Sequence, residues 1–200
     1  MSDEYYKKLF IENKSWNKSK PNADETHRWW AIESFIKDTK KQNIEILDVG
    51  CGRGVFSNLL SKYGNVLGID PVSSVIEYGK ELYPNIELMA LDLDQYCFLY
   101  PDKKYELILC TEVLEHVIDK TAFMQKIKGL LSHDGYLILS TPREEVKHNW
   151  LTLFANPSQP IEEWISTDDL INLIDDCRFK RVGYKTASWF DIYQVHLLSV

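Results

Sequence analysis

The stretch Ile46-Leu-Asp-Val-Gly-Cys-Gly-Arg-Gly-Val-Phe56, followed by Gly68-Ile-Asp70, constrains this chain more than any other part of it. It reads as a buried strand, a glycine-rich turn, the start of a helix, and a second strand that ends in a carboxylate. Doubly wound α/β domains build nucleoside-cofactor sites in this order.

Gly50, Gly52 and Gly54 alternate as GxGxG. Missing side chains let the turn pass close under a ligand and adopt positive φ. The helix starting near Val55 aims free N–H groups and a positive dipole end at the same place, where a carboxylate or a phosphate is stabilised. Asp70 closes a strand, so its two oxygens can accept from two ribose hydroxyls. Asp92 follows a third strand and is placed to accept from an exocyclic adenine amine, with Leu91 or Leu93 against the ring. A tight βα turn with no ligand is the plain alternative for the glycines alone. The ordered set Asp48, GxGxG, Asp70, Asp92 is more specific than any one part. A dinucleotide loop prefers GxGxxG, and Val55 stands where its third glycine belongs. GxGxG preceded by Asp48 favours S-adenosylmethionine, with S-adenosylhomocysteine as the product.

Two hundred residues make one domain with room for a substantial core. A formal charge of −7 argues against a nucleic-acid binder with a broad basic face, though not against a local patch. Cys51, Cys97, Cys110 and Cys177 form no CxxC pair, and three lie in or beside apolar runs, so reduced thiols are expected. The N-terminus has no apolar signal region and no stretch is long enough to span a bilayer. The expectation is a cytoplasmic protein without membrane insertion, a monomer or homodimer.

Residues 1–41 read as an N-terminal helical arm or cap: a short helix, an irregular stretch, then a helix from Asp24, its cap, to about Lys40. A βα alternation follows. Strands are expected at Ile44–Val49, Val66–Ile69, Ile86–Ala90, Tyr105–Cys110 and Gly135–Ser140. Helices are expected at Val55–Lys62 (stopping at Gly64), Val72–Leu82 and Leu114–Leu131. This rhythm implies a parallel sheet with helices on both faces. Ser166 caps a further helix running to about Cys177. Phe179–Thr186 and Ile192–Val200, joined closely, pair as an antiparallel hairpin. Residues 142–165 form a lid-like insertion.

With these motifs in hand, the chain resembles the class I S-adenosylmethionine-dependent methyltransferases, near the ubiquinone-biosynthesis-like small-molecule enzymes. The resemblance rests on Ile46–Phe56, Gly68–Pro71, Ala90–Asp92, Tyr105–Val117 with Glu112-Val-Leu-Glu-His116, and Leu130–Pro142. It implies a Rossmann-like α/β fold: a seven-stranded, mostly parallel sheet of order 3-2-1-4-5-7-6. It also implies that Gly50, Cys51 and Gly52 meet the methionyl part of the cofactor, Asp70 the ribose, and Asp92 and Leu93 the adenine. Thr111 and Glu112 would face the methionyl end and the acceptor. Asp48, Gly54 and Pro71 complete the expected cofactor set.

Methyl transfer needs a nucleophile held about 3 Å from an activated carbon, and deprotonated where necessary. His116 is the candidate base, since histidine titrates near neutrality; the alternative is that it only orients its helix and shapes the pocket. Glu112, Glu115 and His116 would share one helical face and also resemble a metal cluster, as in small-RNA 3′-terminal 2′-O-methyltransferases, with His148 as a further partner. The segment after the fifth strand does not match that family, so no metal is assigned. Arg143, His148, Trp150 and Trp29 are candidate acceptor contacts, Arg143 for a carboxylate or phosphate. The plainer reading is that most tryptophans here pack the N-terminal helix onto the sheet. His27 and Trp29 lie on different helical faces, so at most one points inward. The expected activity is methylation of O or N on a small-molecule acceptor, without nucleic acid. Metal-assisted RNA-end or nucleoside methylation, NAD(P)-dependent oxidoreduction and a non-catalytic cofactor-binding subunit are the alternatives.

Overall fold

The computed structural model describes residues 3–14, 16–153, 162–188 and 190–200. The arm begins with α1 (Asp3–Lys7), which widens into a π-turn over Lys8–Glu12. Helix α2 (Ala23–Thr39) starts one residue earlier than expected, and its cap is Asn22 rather than Asp24. Asn22 Oδ1 accepts from Glu25 N at 2.9 Å, and Glu25 Oε2 accepts from Asn22 N at 2.8 Å. This reciprocal box satisfies two orphan donors, which a lone carboxylate at position 24 could not do.

From there the chain alternates: β1 (Ile44–Val49), α3 (Val55–Leu60), β2 (Gly64–Ile69), α4 (Ser73–Leu82), β3 (Glu87–Met89), α5 (Leu93–Leu99) and β4 (Tyr105–Thr111). Gly64 does not stop α3; it opens β2. A Cβ there would lie 1.9 Å from the Ile44 carbonyl oxygen, so the glycine permits close approach of β1 and β2. Helix α5 lies where the sequence pattern predicts no element. The expected helix over Leu114–Leu131 is divided into a 3₁₀ turn, Leu114–His116, and α6 (Lys120–Leu130), because Asp119 caps a new start by accepting from Ala122 N. Strand β5 (Leu131–Pro142) is longer at both ends than expected. Helices α7 (Glu144–Leu153) and α8 (Thr167–Asp176, capped by Ser166) lead to β6 (Lys180–Ala187) and β7 (Tyr193–Ser199).

The seven strands form one sheet in the order β3-β2-β1-β4-β5-β7-β6. Strands β1 to β5 pair in parallel; β7 is antiparallel to both β5 and β6. Strand alternation divides the core between the faces. On β4, Leu107 and Leu109 join the Trp29, Ile32 and Phe35 side of α2, whereas Ile108 and Cys110 join Met124 and Ile127 of α6 and Ile174 of α8. Each such fully buried Leu or Ile contributes roughly 1.5–3 kcal/mol. Register sets Val49 beside Cys110 and Thr111 beside Ser140. The carboxyl ends of the three central strands therefore form one rim, where open α/β sheets hold their ligands. All four cysteines are unpaired, and no described helix is long and apolar enough to cross a membrane.

Replacing Gly64 with alanine forces the β1–β2 backbones apart. We expect Gly64→Ala to lose about 1–3 kcal/mol of stability by denaturant unfolding. A loss within about 0.5 kcal/mol would mean that the two strands are not held at this spacing.

Candidate active-site cleft

Above the rim lies a cleft of about 450 Å³, within the size range of small-ligand sites. Its floor is the turn after β1. Gly50, Gly52 and Gly54 all have positive φ (72°, 53° and 82°), so the turn needs glycine three times. Gly50 N and Cys51 N donate to the Ile69 carbonyl at 2.9 and 3.0 Å, tying the turn to the end of β2. Asp70, the next residue, turns back to it: Oδ2 accepts from Gly52 N at 3.1 Å and Oδ1 from Val72 N at 2.9 Å. Burial raises the Asp70 carboxyl, and those two N–H groups oppose the rise. Its described partners are backbone donors only, so the carboxylate retains acceptor capacity toward the cleft.

The far wall grows from the end of β4. Glu112 is a non-glycine residue at φ 56°, a conformation few such residues adopt. The left-handed step ends the strand, and the 3₁₀ turn then brings Glu115 and His116 to the cleft beside Glu112. Glu112 Oε1 accepts from Ser140 Oγ at 2.8 Å and lies 3.3 Å from Arg28 Nη1. Glu115 is buried; Oε2 accepts from Thr141 Oγ1 at 3.0 Å, and Oε1 lies 3.9 Å from His116 Nε2. Burial pushes both carboxyls up, Glu115 further because Glu112 is beside it. Arg28 is itself enclosed, stacked 4.5 Å above the Tyr193 ring.

Tyr5, Tyr6, Phe10 and Trp16 of the arm also line the cleft, together with Trp164 and Tyr193. Burial and the nearby Asp70 push Tyr6 up to about 12. Among the described residues, six carboxyl residues line the cleft (Asp24, Glu25, Asp70, Glu112, Glu115, Glu162) against two cations, Arg28 and Arg53, each already paired. Such a lining suits a ligand carrying positive charge and hydroxyl donors. Among the described residues, no group of three or more His, Cys, Asp or Glu has metal-binding geometry.

The structure gathers Gly50, Cys51, Gly52, Asp70, Pro71, Thr111, Glu112 and His116 at this cleft. Several other expected residues lie elsewhere. Asp48 sits beneath the turn, fully buried, accepting from Ser57 Oγ at 2.6 Å. Gly54 begins α3 and faces Leu88 rather than the cavity. Asp92 is exposed and caps α5, accepting from Gln95 N at 2.8 Å, while Leu93 belongs to the core; neither lines the cleft. Arg143 donates to the Asp191 carbonyl at 3.1 Å, which ties it to the β6–β7 connection, and it is not among the residues lining the cleft. His148 is exposed on α7, away from the cleft, and the Trp150 side chain lies outside the described residues. Trp29 packs on Phe56 in the core, with ring centroids 6.0 Å apart; the plainer reading of that tryptophan holds. His27 packs at a tilt of 57° against the exposed Trp30, so of His27 and Trp29 only Trp29 points inward. Glu112, Glu115 and His116 do not share an α-helical face, since a turn carries them.

Arg28, Glu25, Arg53 and Tyr193 were missed. Arg28 and Glu25 lie on a helix, and Arg53 lies between two glycines of the turn, where no local pattern marks an ionic partner. An Asn-x-x-Glu box at Asn22–Glu25 was the available signal for where α2 begins.

The sequence profile of a family described as "Methyltransferase domain" matches residues 18–189. A ubiquinone biosynthesis O-methyltransferase of Rickettsia felis is 36% identical over 115 residues, covering 55% of this chain and 45% of that protein. Its counterpart in Actinobacillus pleuropneumoniae is 29% identical over 151 residues, covering 66% and 63%. The chain thus spans about half to two thirds of the length of these curated relatives. Among solved structures, the N-methyltransferase NodS of Bradyrhizobium japonicum, in complex with S-adenosyl-L-homocysteine, superposes with a TM-score of 0.77. It is 15% identical, and the match covers 100% of this chain and 98% of that one.

Asp48 makes a pH test of the turn's foundation. Burial raises its carboxyl from 3.8 to about 7, so the folded state holds a proton that the unfolded chain releases between those values. The resulting stabilisation is fully present below about pH 4 and is lost as pH rises through about 7. Asp48→Asn keeps an acceptor for Ser57 without the titration. Relative to this variant, the wild type should lose stability between pH 5 and pH 8 in denaturant melts. A pH-independent difference would contradict the assignment.

Proposed function

For a chain that belongs to the methyltransferase-domain family, as a class I S-adenosylmethionine-dependent enzyme, we propose methyl transfer to an oxygen or nitrogen of a small metabolite. The observation carrying this is Asp70: a carboxylate at the end of β2, pinned by two backbone N–H groups, facing a cleft floored by bare glycines.

When bound, the cofactor supplies a methyl group on a cationic sulfur, already activated for displacement. The chain's work is then binding and placement. Asp70 would accept from the ribose hydroxyls, with Pro71 beside it. Gly50, Cys51 and Gly52 would hold the methionyl part, together with Thr111 and Glu112. The carboxyl-rich lining favours a cationic ligand, while pairing of Glu112 with Arg28 keeps its negative charge from solvating the sulfur too tightly. The aromatic walls exclude water and offer faces to an acceptor ring. His116, at the cleft beside Glu115, takes the acceptor's proton. A cleft of about 450 Å³, shared by cofactor and acceptor, supports a small acceptor.

Calorimetry should detect binding of both S-adenosylmethionine and S-adenosylhomocysteine. Asp70→Ala removes two charge-assisted hydrogen bonds and should weaken both by about 100-fold or more. Absence of binding to the wild type would sink the proposal. His116→Ala should lower kcat by roughly 10²–10⁴-fold and leave S-adenosylhomocysteine affinity nearly unchanged. Equal losses in both would make His116 a cofactor-binding or structural residue instead.

A further inference from the structure

Arg53 occupies the middle of the cofactor turn, between two glycines of positive φ, and its side chain is only 1% exposed. Its donors point toward the N-terminal part of the chain. Nη1 and Nη2 each donate to Glu25 at 2.8 Å, to Oε1 and Oε2 respectively, and Nε donates to the Lys18 carbonyl at 3.2 Å. The rings of Phe10 and Trp16 lie 5.9 and 6.0 Å from its guanidinium carbon, within cation–π reach. Glu25 serves twice, since Oε2 also closes the capping box that starts α2. Two further bonds hold the same stretch to α4 and its C-cap: Tyr78 Oη donates to the Asn17 carbonyl at 2.6 Å, and Tyr83 Oη to the Ser19 carbonyl at 2.8 Å. Phe10 lies over the turn so closely that a Cβ on Gly52 would be 3.5 Å from its ring.

A buried ion pair is weak evidence for stability by itself, because desolvation offsets most of the attraction. Its position is the informative part. Every one of the three guanidinium nitrogens is engaged by the arm or α2, although the residue sits at the cofactor turn. We propose that Arg53 is a positioning residue that clamps the N-terminal arm shut over the cofactor turn, so that arm closure and cofactor affinity form one coupled equilibrium. This rests on reading the cleft as a site for S-adenosylmethionine. Tyr6, Phe10 and Trp16 line the cleft, so opening the clamp would remove them from its wall. Lysine cannot replace the arginine, since a single ammonium lacks the planar fork that meets both Glu25 oxygens while Nε meets Lys18.

The test uses limited trypsin digestion at Lys7, Lys8, Lys14 and Lys18 on the full chain, with and without S-adenosylhomocysteine. In the wild type the ligand should slow arm cleavage, and hydrogen exchange over residues 5–14 should fall with it. Two variants follow: Arg53→Met/Glu25→Gln, which keeps the α2 cap and leaves no unpaired buried charge, and Arg53→Lys, which keeps the charge. Both should be cut faster than wild type without ligand and should gain little protection from it. Their KM for S-adenosylmethionine should rise roughly 10–100-fold while kcat at saturation stays within about threefold. Should neither variant fold, the wild-type exchange decides: unchanged arm protection on adding S-adenosylhomocysteine overturns the proposal. So does a folded variant whose arm is cut at the wild-type rate, or one that loses affinity while keeping full arm protection. A wild type that binds no S-adenosylhomocysteine would defeat the proposed function, while the ligand-free cleavage rates would still decide the clamp.

Discussion

The turn from Gly50 to Gly54 is the constraint on which the rest of the site depends. Three left-handed glycines in five residues let the backbone double back onto β2, where the Ile69 carbonyl receives two of its N–H groups and Asp70 a third. Any side chain at Gly50 would collide with Val113, 2.2 Å from its Cγ2, so the turn also fixes how closely the loop after β4 can approach. Cofactor contact, sheet closure and the position of the second wall thus share one piece of backbone.

The opposite wall follows a different rule. Glu112 takes a strained left-handed conformation, held by Arg28 from α2 and Ser140 from β5. Strain of about 1–3 kcal/mol persists only where surrounding contacts over-determine it, and here two elements distant in sequence do so. The consequence is that four of the six acidic residues described at the cleft have side-chain partners: Glu112 in Arg28, Glu25 in Arg53, Glu115 in Thr141 and Glu162 in Trp164. Asp70 stands apart because backbone donors alone hold it, and that leaves it suited to a ligand's hydroxyls.

Much of this was legible in the residues. The βα alternation, the closing antiparallel hairpin and the cofactor turn are local patterns, read from apolar periodicity, short connections, glycine spacing and a strand-end aspartate, whereas the strand order follows only from the family resemblance. Boundaries failed where short polar side chains decided them. Asn22 rather than Asp24 opens α2, and Asp92 became the cap of a helix that its apolar pattern did not announce. Asp119 likewise split one long helical pattern, because a cap satisfies orphan N–H groups that periodicity does not count. The site was less legible wherever it depends on long-range pairing. Arg28 with Glu112 and Arg53 with Glu25 join residues 84 and 28 positions apart, which no local pattern encodes. Arg143 had the right chemistry for an anionic acceptor, yet the β6–β7 connection claims it.

A crystal structure of the full chain with S-adenosyl-L-homocysteine tests the central claim most directly. The account predicts both ribose hydroxyls on the Asp70 carboxylate and the methionyl portion between the Gly50–Gly52 turn and Glu112, with the sulfur directed toward His116. A ligand bound away from Asp70, or a ribose held by other residues while Asp70 keeps only its two backbone partners, would contradict it.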